Sequence, residues 1–167
     1  MELPKRRPTR LKSFDYSTNG AYFITICTHN RQKTLSKIVV GEGLAPPEVK
    51  LTKLGEITRE QLLLLEKRFE NIKIDRFVIM PNHIHLIIFI NNDSGGASPS
   101  PTVCDVICAF KSKSVSLCKK AGYLDKVFQR SFHDRIIRNR REYEKITKYI
   151  YENPVLWEED CFYSKDI

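Results

Sequence analysis

The chain has little with which to cross a membrane, cross-link itself or build a thiolate metal cluster. No apolar run reaches the roughly 18 residues that a spanning helix requires. The opening residues, Met1-Glu2-Leu3-Pro4-Lys5-Arg6-Arg7, lack the apolar core of a secretion signal, so a cytoplasmic protein is expected, with no membrane partner. The five cysteines are an odd number without paired spacing. Cys104 and Cys108 stand at zinc-ligand spacing, but no second pair completes a tetrahedron. Neither a disulfide framework nor a structural zinc site is expected. Cys104, Ile107, Cys108, Val115 and Cys118 read instead as one helical stripe, the thiols serving as small core residues.

What is present describes one domain of ordinary globular composition: 167 residues, 41% hydrophobic and 29% charged. The net charge of +8 is gathered in two places. Lys5, Arg6, Arg7, Arg10 and Lys12 form a basic arm within residues 1–20, ahead of a domain over 21–167. Arg135, Arg138, Arg140, Arg141, Lys145 and Lys148 form a second cluster, with Arg130 shortly before it. A merely solvated surface accounts for many chains of this charge, but clustering of this kind favours a polyanion, and nucleic acid above others.

The order of elements is legible from periodicity and turn chemistry. Residues 21–28 are β-branched and aromatic, a first strand, and 41–50 carry the glycines and prolines of a loop. A helical pattern runs from about Thr52 to Phe69, although Gly55 weakens its start. Ile74–Met80 and Ile84–Ile90 form a hairpin across Pro81-Asn82. A polar Gly/Ser/Pro stretch over 91–102 leads to a helix from about Val103 to Lys120, closed by Gly122. Lys111 interrupts the apolar stripe of that helix, so its ammonium either snorkels to water or faces a ligand. Phe132–Ile137 reads as a fourth strand. Strand–helix–strand–strand–helix–strand is the split βαβ, ferredoxin-like order. The fold class expected is therefore α+β, an antiparallel sheet with helices on one face and a further helix at the C-terminus.

Two short patterns carry chemistry. His83 and His85 stand one residue apart in an apolar strand and so project from the same face. Two imidazoles there either converge on a cation or sit hydrogen-bonded at a hairpin corner. In the last helix, which Asn139 and Glu142 cap at about Arg140, Tyr143, Ile146, Thr147 and Ile150 form the core stripe. Tyr149 lies off that stripe with Asn153 one turn further on its flank. It is either a half-buried aromatic or a functional phenol. Tyr151 is on the opposite flank without a comparable polar neighbour.

His83-Ile84-His85 after Met80-Pro81-Asn82, together with Tyr149-Ile150-Tyr151-Glu152-Asn153-Pro154, resembles the HUH single-tyrosine transposases, and within them the REP-associated tyrosine transposase branch of the IS200-like family. Further blocks resemble that branch in the same order: Tyr22 to Cys27, Phe110-Lys111-Ser112, Phe128 to Asp134, and Asn153 to Asp160. The resemblance implies a ferredoxin-like HUH catalytic domain over 21–167 that nicks and rejoins single-stranded DNA through a 5′-phosphotyrosine. By position it makes Tyr149 the nucleophile and His83, His85 and Asn153 the ligands of a divalent ion, Mg²⁺ or Mn²⁺. The partner implied is single-stranded or hairpin (REP-like) DNA, bound by a monomer or by a homodimer exchanging tyrosine helices. Arg135 and Phe128 depart from the family's usual histidine and tryptophan.

On this reading Lys5, Arg6, Arg7, Arg10, Lys111, Arg130, Arg135, Arg138, Arg140, Arg141 and Lys148 would contact DNA. Phe132 would stack on bases or pack in the core, and His133 would assist proton transfer or bond backbone at the strand edge. The alternative from another class is a hairpin-binding protein whose nicking has lapsed. A replication initiator or relaxase would use related chemistry in a larger architecture.

Overall fold

The computed structural model describes residues 18–40, 46–92 and 101–163. The basic arm from Lys5 to Lys12 lies outside the described residues, as does most of the polar stretch after Asn92. The strands are β1 (Gly20–Cys27), β2 (Ser36–Val39), β3 (Glu48–Leu51), β4 (Ile72–Ile79), β5 (His83–Ile90) and β6 (His133–Ile137). The helices are α1 (Lys53–Leu63), α2 (Leu65–Arg68), α3 (Val103–Lys120) and α4 (Arg140–Glu152), with single 3₁₀ turns at His29–Arg31 and Trp157–Glu159. No described helix is long and apolar enough to cross a membrane.

Four strands form one antiparallel sheet in the order β4-β5-β1-β6. β1 and β4 are joined through α1 and flank the inserted β5, and β5 and β6 are joined through α3, which is the ferredoxin-like arrangement. Alternation along β1 and β5 divides the side chains between two faces. Tyr22, Ile24, Ile26, Ile84, Leu86 and Ile88 point to the face covered by α1 and α3, where Leu62, Val106, Ile107 and Phe110 complete the main core. Each such buried apolar side chain contributes about 1.5–3 kcal/mol. The opposite face carries Ala21 and Ile87, on which Ile146 and Ile150 of α4 pack. The helix bearing Tyr149 thus lies across the face from which His83 and His85 project, and Trp157 and Phe162 after it pack against His83.

Local differences from the sequence reading have identifiable causes. Glu48–Lys50 is not loop: it pairs with β2 as a small separate hairpin, its short β-hydrogen-bonding run being masked by the prolines before it. The helix expected as one piece breaks at Leu64 into α1 and α2. Gly55 is a packing requirement, since a Cβ there would come within 2.0 Å of the Leu35 carbonyl oxygen. In α3 the buried stripe is Val103, Val106, Ile107, Phe110, Ser114 and Cys118. Cys108 is exposed and Cys104 half-buried, because bulky Phe110 sets the phase at 100° per residue and turns Cys108 outward. Thr102 and Asp105 close a capping box at the start of α3.

Candidate active site

The hairpin turn Met80–His83 is clamped from both sides. Thr28 donates to the Asn82 carbonyl through its backbone N–H (2.9 Å) and its hydroxyl (3.0 Å), and the Leu35 N–H donates to the Pro81 carbonyl at 3.0 Å. β5 therefore begins in a fixed position, with His83 and His85 side by side at ring centroids 4.4 Å apart. Each imidazole is oriented through Nδ1. His83 Nδ1 bonds Asn82 Oδ1 at 2.9 Å, and His85 Nδ1 bonds the Thr25 hydroxyl at 2.9 Å. Such outer contacts fix ring orientation and leave Nε2 facing the site. Thr25 and Asn82 are buried, and no spacing rule marks them as orienting residues; the β1–β5 register supplies Thr25 opposite His85.

α4 delivers the phenol. Asn139 Oδ1 accepts from the Glu142 N–H at 2.9 Å, while the Glu142 carboxylate accepts from the Arg138 N–H, so the cap is anchored as its sequence suggests. Tyr149 is 37% exposed and places its hydroxyl 3.2 Å from His85 Nε2. Tyr151 is 83% exposed on the other flank. Asn153 sits buried at the end of α4. One chain thus supplies both the phenol and the imidazoles.

The chain then turns back through Trp157–Glu159 and brings in a residue that sequence reasoning had not singled out. The Tyr149 hydroxyl donates to Asp160 Oδ2 at 3.0 Å, and Asn153 Nδ2 donates to the same oxygen. His83, His85 and Asp160 each offer a ligand atom within 4.8 Å of the others. The only available signal was its place in the last family-like block; helical periodicity cannot reach past Pro154.

Electrostatics follow from this burial. Burial pushes the His83 imidazole down to about 4 against the opposing charge of Asp160, and pushes His85 down to about 3, with His83 adding to the effect. Both rings are neutral near pH 7, the form that binds a cation. Burial opposes ionisation of Asp160, but the Phe162 N–H and Asn153 hold its carboxyl below the usual range. Burial and the Asp160 charge raise the Tyr149 phenol. Among the described residues, His83 Nε2 and Asn153 Oδ1 are buried with no hydrogen-bond partner in good geometry, which is the arrangement a cation would satisfy.

The remaining expected contacts are distributed differently. The Lys111 ammonium donates to the backbone carbonyls of Gln129, Arg130 (2.9 Å) and Ser131 (3.5 Å), and burial lowers its pKa. Phe132 is core. His133 is exposed on β6, in register with Thr25 and on the same face as His85. Arg130, Arg135, Arg138, Arg140, Arg141 and Lys148 are exposed. Of these, Arg135 pairs with Glu142 at 2.7 Å, Arg140 with Glu144 at 2.8 Å and Lys148 with Glu152 at 3.7 Å.

No family model matches the chain. An uncharacterized protein of Haemophilus influenzae strain Rd is 32% identical over 173 residues, covering 95% of this chain and 93% of that protein; the two belong to one family. Among solved structures, a REP-associated tyrosine transposase bound to a REP hairpin is similar with a TM-score of 0.60 at 22% identity, over 93% of this chain and 73% of that one. A transposase-like protein of Deinococcus radiodurans gives 0.50 at 15% identity, over 90% of this chain and 97% of its own. The IS200-like, HUH resemblance read from the sequence is thus borne out at the level of the fold.

Proposed function

We propose that this chain, a relative of the Haemophilus protein with the fold of a REP-associated tyrosine transposase, is a metal-dependent transferase that nicks and rejoins hairpin-flanked single-stranded DNA. The observation that carries the reading is the Tyr149 hydroxyl beside His85 Nε2 at 3.2 Å. A free phenol has a pKa of about 10 and is a poor nucleophile at neutral pH; this one is raised further. Its proton therefore needs an acceptor, and Asp160, already hydrogen-bonded to it, is placed to take it.

In the proposed cleavage, Tyr149 Oη bonds to phosphorus as the P–O3′ bond breaks. The phenolic proton passes to Asp160, the departing 3′-oxygen takes a proton from solvent, and the 5′-phosphate stays on Tyr149. Rejoining reverses these steps with a 3′-hydroxyl, so no external energy source is needed. His83, His85 and Asp160, with Asn153 Oδ1 adjacent, would hold the divalent ion. Bound there, an Mg²⁺ or Mn²⁺ ion would polarise a nonbridging phosphate oxygen and offset charge in the displacement. Packing of Ile146 and Ile150 fixes α4 on the sheet and holds the Tyr149 hydroxyl beside His85, which would contribute orientation rather than intrinsic reactivity. Arg130, Arg138 and Arg141 would neutralise backbone phosphates, making affinity salt-dependent.

Incubation with end-labelled hairpin DNA and Mn²⁺ or Mg²⁺, followed by denaturing electrophoresis, tests the proposal. A covalent protein–DNA band is expected, lost in Tyr149→Phe and retained in Tyr151→Phe. Binding without any adduct over a range of hairpins would move the assignment to a hairpin-binding protein.

A further inference from the structure

Little apolar packing holds the tyrosine helix on the sheet. Of the 13 residues of α4, Ile146 and Ile150 are buried, and both pack in the cluster of Ala21 and Ile87 on the two central strands. Towards β4, the edge strand, the helix does not close down. Phe77, Val78, Thr147, Ile150, Tyr151 and Pro154 are among the residues lining an apolar cavity of about 520 Å³ there. Two central contacts with a gap beside them leave the rotation of the helix about its own axis weakly determined by packing.

That rotation matters because Tyr149 stands on a flank. At the outer radius of a helix, about 6 Å, a roll of about 10° displaces an atom by about 1 Å. A misplacement of that size can lower a rate about a hundredfold. The Tyr149 hydroxyl, 3.2 Å from His85 Nε2, has little room for it.

A bond on the β4 side opposes the roll. The Tyr143 hydroxyl donates to Asp75 Oδ2 at 2.6 Å, and among the described residues this is the side-chain hydrogen bond that joins α4 to β4. An irregularity of the strand places Asp75 for it. Ile74 pairs with Ile88 and Arg76 with Ile87, so Asp75 is the additional residue of a bulge. Strict alternation would put Asp75 and Val78 on opposite faces. The bulge lets β4 present both to α4 while Ile74 and Phe77 pack against the main core. Asp75 also raises the Tyr143 phenol, so the hydroxyl remains a donor at neutral pH. On the β6 side Glu142 pairs with Arg135, a largely exposed ion pair that contributes little.

We propose that Asp75 and Tyr143 are positioning residues: their bond sets the roll of α4 and thereby keeps the Tyr149 hydroxyl at His85 Nε2. Six positions separate the two tyrosines, about 9 Å along the axis and about 120° around it, so one roll moves both phenols. The proposal rests on the DNA-transferase reading and adds two residues outside the proposed cluster.

The test uses the full chain, a labelled DNA hairpin with a single-stranded flank, and Mn²⁺, with adduct formation followed in single turnovers at saturating DNA. Tyr143→Phe keeps the ring and deletes the donor, Asp75→Asn keeps an acceptor, and Asp75→Ala removes it. Expected is an adduct rate about tenfold lower in Tyr143→Phe and in Asp75→Ala, but within about threefold of the unaltered chain in Asp75→Asn. The double variant should be no slower than either single one, since both delete the same bond. DNA affinity should stay within about twofold throughout. In the chain free of DNA and metal, the His85 ring nitrogens, read by NMR, should shift in Tyr143→Phe and Asp75→Ala and keep their positions in Asp75→Asn.

A bond that only stabilised the fold would lower Tm and leave both the rate of the folded chain and the His85 resonances unchanged. That result, or a loss of rate shared equally by Asp75→Asn, would overturn the positioning role alone. No adduct from the unaltered chain would overturn the transferase reading and this role with it.

Discussion

The hydroxyl of Tyr149 donates to the carboxylate of Asp160 at 3.0 Å, although Asp160 lies beyond the end of the helix that carries the tyrosine. The same carboxylate accepts from Asn153 and completes a cluster with His83 and His85. A residue outside every periodic pattern thereby bonds the phenol and Asn153 and brings a carboxylate oxygen within 4.8 Å of both imidazoles.

Asp160→Ala should lower Mn²⁺ affinity at least about tenfold, the scale on which ligands and their immediate supports act. Titration calorimetry or Mn²⁺ electron paramagnetic resonance reads this directly. Unchanged affinity would leave His83, His85 and Asn153 as the holding set and reduce Asp160 to a partner of the phenol.

The imidazoles predict how stability responds to acid in the absence of added metal. Burial holds His83 near about 4 and His85 near about 3, both below the ordinary value of 6.5. The folded state therefore takes up protons less readily than the unfolded one. The stability this contributes is complete above pH ~6.5 and is lost as the pH falls through the interval towards the folded values. At about 1.4 kcal/mol for each unit of separation, Tm should be level near neutrality and decline progressively below about pH 6. His85→Gln should flatten that decline; an equally steep decline in the variant would locate its origin elsewhere.

Gly55→Ala sets two effects of opposite sign against each other. Helix propensity alone favours alanine by about 1 kcal/mol. The added Cβ, however, would stand 2.0 Å from the Leu35 carbonyl oxygen, which already accepts from the Thr52 N–H and hydroxyl. Overpacking against a fixed backbone should win, with a net loss of about 2 kcal/mol in urea unfolding.

Lys111 and Arg141 should separate folding from binding. Lys111→Met leaves the carbonyls of Gln129, Arg130 and Ser131 without their ammonium and should cost about 2 kcal/mol of stability. Hydrogen exchange at the end of β1 and in the 127–131 segment should quicken. Arg141→Ala should leave stability within about 0.5 kcal/mol but reduce the salt dependence of DNA binding by roughly one phosphate equivalent. A reversed pattern would return Lys111 to the DNA contacts.

Much of this architecture was legible in one dimension. The end of α3 and the start of α4 follow from Gly122, Asn139 and Glu142, because caps and stripes are local properties. His83 and His85 share a face because a strand alternates. The stripe of α3 was misphased at Cys108, since similar thiols at neighbouring angles do not say which side the large Phe110 will choose. β3 was missed because its pairing partner β2 is separated from it by sequence that reads only as turn.

The residues by themselves determined the order of the four main-sheet strands, the paired imidazoles and the tyrosine-bearing helix, all set by interactions within a few positions. Tertiary packing alone decided which tyrosine faces the histidines, that Thr25 and Asn82 orient those rings, that Lys111 fastens a loop, and that Asp160 returns to the site. These depend on register between strands and on how a helix rotates over a sheet, and neither quantity is fixed by spacing along the chain.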